Sequence, residues 1–162
     1  MFPPNGRQRR FDAAASGPST TSVLCIDPSP ITLLATAGTL HHHGYRCTCA
    51  REVAAGRSAL EQTAFDALVF DVGDDAAQAW EDLASMREIR SDLPAVLIAD
   101  VTWAGLERRT EASTVATRCL FKPVDPGVLR DLVSAVLWNP MLESVSRVRG
   151  RRPVRRGWVT LD

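Results

Sequence analysis

Lysine is almost missing from this chain: Lys122 is the only one among 162 residues, against eighteen arginines. No apolar stretch approaches the roughly 20 residues that a membrane-spanning helix needs, so no membrane insertion is expected. The opening segment, basic and rich in Pro, Gly, Ser and Ala, lacks the continuous apolar core of a secretory signal, and a cytoplasmic location is expected. Cysteine is sparse. The four thiols, at 25, 47, 49 and 119, show neither the density nor the spacing of a disulfide framework or a zinc site. Cys47 and Cys49 put two thiols on one face of a strand, where they read as small apolar fillers. A glycine-rich nucleotide loop, a Ser–His–Asp arrangement and paired glutamates are also absent, which argues against an independent metabolic enzyme. His41, His42 and His43 do not replace them, because consecutive helical residues point in different directions and cannot converge on one ion.

What remains is an ordinary globular composition, 45% hydrophobic and 23% charged, of a length suited to one domain. The net charge of zero hides a segregation. Arg7, Arg9 and Arg10 near the start and Arg147, Arg149, Arg151, Arg152, Arg155 and Arg156 near the end leave the segment between them acidic. Residues 1–21 show no apolar periodicity and read as a disordered extension, and residues 140–162 read as an Arg-rich flexible tail. That tail, with Trp158 as its aromatic, suits an electrostatic nucleic-acid contact or a fold-back onto the acidic domain.

Between these ends, short apolar runs alternate with helical patterns. "SVLCID", "YRCTCA", "DALVFD", "PAVLIAD" and "RCLFK" read as strands. The helices begin on recognisable signals: Ser29 with Pro30, and Asp125 with Pro126, are cap and first-turn pairs, and Gly44 is a left-handed stop. Ile31, Leu34, Ala37 and Leu40 are expected to form the buried stripe of the first helix, and Ala76, Trp80, Leu83 and Ile89 that of the third. The fourth helix is expected over "TWAGLERRTEASTVA", and the fifth closes at Trp138. Five strands alternating with five helices across short loops predict a parallel sheet covered on both faces.

In such a sheet the C-terminal strand ends line one edge, and function collects there. The residues at those ends are Asp27, Asp71, Ala99 with Asp100, and Lys122. Two carboxylates from different strands and one ammonium would meet on that edge. The placement of the lone lysine there, followed by proline, is pointed, because a compact ammonium suits a tight anion pocket better than a planar guanidinium.

The order "VLCIDPSP", "GYRCTCA", "DALVFD", "PAVLIAD" and "FKP" over residues 22–139 resembles the receiver domain of two-component response regulators. The resemblance implies a flavodoxin-like (βα)5 three-layer sandwich with strand order 2-1-3-4-5. It also implies a stand-alone phosphorelay module that accepts a phosphoryl group on Asp71 from a sensor histidine kinase or phosphotransfer protein. Lys122 would contact the phosphate, Asp27 and Asp71 would hold Mg²⁺, Lys122–Pro123 would be cis, and a downstream protein would read the state.

The sequence departs from that pattern at defined places. Pro28 stands where a second magnesium-binding acid is usual. The place of the usual hydroxyl falls on Ala99 counting from Pro94, or on Asp100 counting back from Lys122, and the switch aromatic falls on Cys119. Asp74 and Asp75 read as helix-start acids and not as site members. These departures keep open a phosphorylation-independent, pseudo-receiver interaction module.

Overall fold

The computed structural model describes residues 20–100 and 105–148. The basic stretches 1–19 and 149–162, with most of the charged tail, lie outside the described residues. Five strands and five helices alternate: β1 (Ser22–Ile26), α1 (Pro30–His42), β2 (Arg46–Ala50), α2 (Val53–Gln62), β3 (Ala67–Gly73), α3 (Ala76–Ile89), β4 (Ala95–Ala99), α4 (Leu106–Glu111), β5 (Thr117–Phe121) and α5 (Pro126–Val148). All neighbouring strands are parallel, in the order β2-β1-β3-β4-β5. This is the flavodoxin-like arrangement expected from the sequence. Among the described residues no helix is long and apolar enough to cross a membrane.

Strand residues alternate between two cores. Leu24, Ile26, Leu68, Phe70, Leu97 and Ala99 pack with Leu60, Leu83, Met86 and Leu106 of α2, α3 and α4. The residues between them, Val23, Cys25, Val69, Val96 and Ile98, pack with Leu33 and Leu40 of α1 and with Leu129, Val133 and Val136 of α5. Burial on both faces explains why these strands read as continuous apolar runs.

Several helix expectations need correction. The buried line of α1 is Leu33, Thr36 and Leu40, whereas Ile31 and Leu34 are 80% and 70% exposed. Both lines have helical spacing and share Leu40. Counting apolar residues favours the wrong one, because Thr36 scores as polar although it is buried. In α3 the buried residues are Ala76, Ala79, Leu83 and Met86, with Trp80 and Ile89 only partly buried at the edge of the cluster. Described helix in α4 is confined to Leu106–Glu111, and residues 102–104 of the expected span lie outside the described residues. Conversely, α5 passes Trp138 and continues to Val148.

The capping signals hold. The Ser29 hydroxyl accepts from the Thr32 N–H at 3.4 Å, the Asp75 carboxylate from Gln78 N–H at 3.0 Å, and the Asp125 carboxylate from Val128 N–H at 3.0 Å. Asp75 is therefore a helix-start acid, as expected. Gly44 follows α1 with φ 89°, the left-handed conformation that glycine adopts without steric cost.

Candidate functional site

The strand order reverses direction between β1 and β3, and the crevice beyond their C-terminal ends is where an open parallel sheet offers a site. Asp27 follows β1 directly. Its backbone N–H still pairs with the Ala50 carbonyl at 3.1 Å, so the acid is held in line with the strand. Asp71 lies in β3, which does not end on it but runs two residues further, to Gly73. Register with β4 shifts between Asp71 and Gly73, a bulge permitted by the positive φ of Gly73, 61°. The bulge turns the Gly73 N–H back onto Asp71 Oδ1 at 2.8 Å. "DVG" carries this signal in the sequence, and it is missed when the strand is read as ending at its acid.

Lys122 follows β5, with its N–H on the Ala99 carbonyl at 2.9 Å and a cis peptide bond to Pro123. Its Nζ lies 2.8 Å from Asp71 Oδ2 and 3.4 Å from Asp100 Oδ1. Partial burial pulls the Lys122 pKa down, but the hydrogen bond and charge of Asp71, joined by those of Asp100, outweigh it and hold the pKa above the ordinary lysine value. Asp27 and Asp71 are only 5% and 6% exposed. The three predicted site residues therefore share one edge. Asp100 enters as a fourth member through Lys122. Ala99 closes β4 as a fully buried core residue opposite Phe121, and Cys119 packs partly buried at the edge of the same core.

The Asp27 carboxylate is already committed to local structure. Oδ1 accepts from the Ser29 N–H at 2.8 Å and Oδ2 from the Thr32 hydroxyl. The neighbouring Pro28 has no side-chain oxygen, and its carbonyl accepts from the Arg51 guanidinium at 3.2 and 3.3 Å. Magnesium favours near-octahedral oxygen coordination and loses its waters reluctantly. Among the described residues no group of three His, Cys, Asp or Glu side chains is placed to hold a metal ion. Asp27 and Asp71 alone, with Asp27 bonded in this way, do not form a prearranged magnesium site.

A cavity of about 340 Å³ opens from Asp27, Asp71 and Lys122 and runs between α1 and the β5–α5 loop. His41, His42 and His43 close α1, are not among the residues that line this cavity, and join no metal-binding group among the described residues.

Fold and site together define a doubly wound α/β module with an acidic strand edge and one lysine. No family profile and no curated protein matches the chain in sequence. Solved structures do match. A response regulator receiver protein from Sinorhizobium medicae WSM419 is 26% identical, with a TM-score of 0.62 over 74% of this chain and 95% of that one. The chemotaxis protein CheY4 of Vibrio cholerae is 21% identical, with a TM-score of 0.64 over 74% and 100% of the two chains. A CheY-like receiver domain protein from Methanospirillum hungatei JF-1 is 19% identical, with a TM-score of 0.67 over 77% and 99%. The chain shares the fold of these receiver domains and is divergent from them in sequence.

Proposed function

We propose that this chain is a signalling module in which Asp71 accepts a phosphoryl group from a sensor histidine kinase or phosphotransfer protein, and which acts through contacts with a downstream protein. One observation carries this reading: a buried carboxylate at the crevice edge with the chain's only lysine 2.8 Å away. In the reaction an Asp71 oxygen attacks phosphorus, the bond from phosphorus to the donor nitrogen breaks, and an acyl phosphate forms. Lys122 then exchanges the carboxylate for a phosphoryl oxygen and offsets its charge. Magnesium, as receiver domains generally use it, would have to be recruited by Asp27 and Asp71 with water and phosphate oxygens.

A second reading is favoured by Pro28, by the engaged Asp27 carboxylate and by Ala99 at the end of β4: a pseudo-receiver that binds partners without phosphorylation. One measurement separates the two. Incubation with acetyl phosphate and Mg²⁺ is expected to add one phosphoryl group by intact mass, and Asp71→Asn to abolish the gain. An unchanged mass for the wild-type chain excludes the phosphoacceptor reading and leaves the pseudo-receiver.

A further inference from the structure

The cavity beside Asp71 has two unlike ends. At its head stand the buried carboxylates of Asp27 and Asp71, with Lys122 beside them. Its throat is walled by Ala35, Thr39, Ile98, Val124 and Leu129, so the interior is mainly apolar. A volume of about 340 Å³ lies in the range of small-molecule sites, which combine apolar walls with a few placed polar groups.

The charges at the head are unbalanced. Lys122 is shared between Asp71 and Asp100. The Arg51 guanidinium bonds the Pro28 carbonyl. Among the described residues no cationic side chain forms an ion pair with Asp27, whose partners are a backbone N–H and a hydroxyl. A buried carboxylate gains strongly from a counter-ion, because little water remains to solvate it. The donor set does not suit magnesium, and an apolar throat offers a hydrated metal ion nothing. An organic ammonium fits both ends: each carboxylate oxygen keeps a second lone pair for an N–H donor, and the walls desolvate a hydrocarbon body.

We propose that this cavity binds a small organic amine, with its ammonium against Asp27 and Asp71 and its compact apolar body between α1 and the β5–α5 loop. Binding places a cation over Asp71 and covers the edge that a phosphodonor approaches, so occupancy blocks phosphorylation of that carboxylate. The blocking rests on the phosphoacceptor reading, whereas the binding does not depend on Asp71 being phosphorylated.

The test is an NMR titration of the full chain with benzylamine, benzyl alcohol, benzoate and, separately, MgCl₂. Benzylamine is expected to saturate, with shifts at Ala35, Thr39 and Leu129. Benzyl alcohol should bind about tenfold more weakly or worse, as loss of one partner of a buried charge pair requires, and benzoate not at all. Asp27→Asn should bring benzylamine down to the level of the alcohol. Because Asp27 also bonds the first turn of α1, Ala35→Leu is the companion variant: it leaves both carboxylates in place and narrows the throat, and should weaken amine and alcohol alike. Equal affinity for amine and alcohol overturns the proposal, as does benzylamine binding unchanged in both variants. Saturable shifts at these residues with MgCl₂ but none with benzylamine would replace it with a divalent-cation site. Phosphorylation is read separately by intact mass, so neither result stands in for the other.

Discussion

At the scale of single residues, Pro28 has the largest consequence for this edge. Receiver domains generally hold magnesium with acidic groups there, and here a side chain without oxygen adjoins an Asp27 that is already bonded to Ser29 and Thr32. Pro28→Asp adds a carboxylate at the crevice without touching the core. By isothermal titration it is expected to tighten Mg²⁺ binding about tenfold or more over a weak wild-type baseline. Equal affinity in the two proteins would mean that Pro28 does not limit the site. The acids and the lysine were legible in the sequence because strand ends are easily found from apolar runs that stop on a charge. Asp100 was legible at the end of the fourth strand but not as a partner of Lys122. Its place beside Lys122 depends on a side chain crossing between neighbouring strands, and spacing along one strand carries no such information.

At the scale of elements, the helices show where pattern reading succeeds and where it fails. Caps depend on one residue and its immediate neighbours, so Ser29, Asp75 and Asp125 could be read directly. Rotation of a helix about its axis depends on what it packs against, and for α1 two apolar lines compete. Leu33→Ala is expected to cost about 2–5 kcal/mol in denaturant unfolding, as for a buried leucine, and Leu34→Ala less than about 0.5 kcal/mol. Equal costs would contradict the observed rotation. A second element-scale feature is Arg87, near the end of α3. Its guanidinium donates to the Leu93 carbonyl at 3.1 and 3.2 Å and to the Thr117 hydroxyl at 2.7 Å, which ties α3 to the starts of β4 and β5. Burial lowers its pKa, but a guanidinium starts so high that it stays charged. Arg87→Met keeps most of the packing and removes the donors. It should destabilise by about 2 kcal/mol, read as a lower urea midpoint with an unchanged slope. An unchanged midpoint would show the clasp to be energetically idle.

At the scale of the whole molecule, alternation of strand and helix was enough to predict the covered parallel sheet, because few topologies satisfy short, right-handed connections. The two cores were not separable in the sequence, since a strand buried on both faces shows no alternation to assign. In the fold they share every central strand, and β4 sends Leu97 to one core and Ile98 to the other. Leu97→Ala and Ile98→Ala are therefore expected to lower the same single calorimetric transition, by about 2–5 kcal/mol each. Two separated transitions would show that the layers melt independently. The sheet edge and the outside of α1 are joined in the same way. Asp27 grips the first turn of α1 through Ser29 and Thr32, and Ile31 and Leu34 ride on that turn in open solvent. The carboxylate thus works as the short arm of a lever: whatever draws it toward the crevice must loosen or tilt the turn that displays the protein's most exposed aliphatic side chains among the described residues. A chemical event in the crevice then needs no rearranging aromatic to be felt outside.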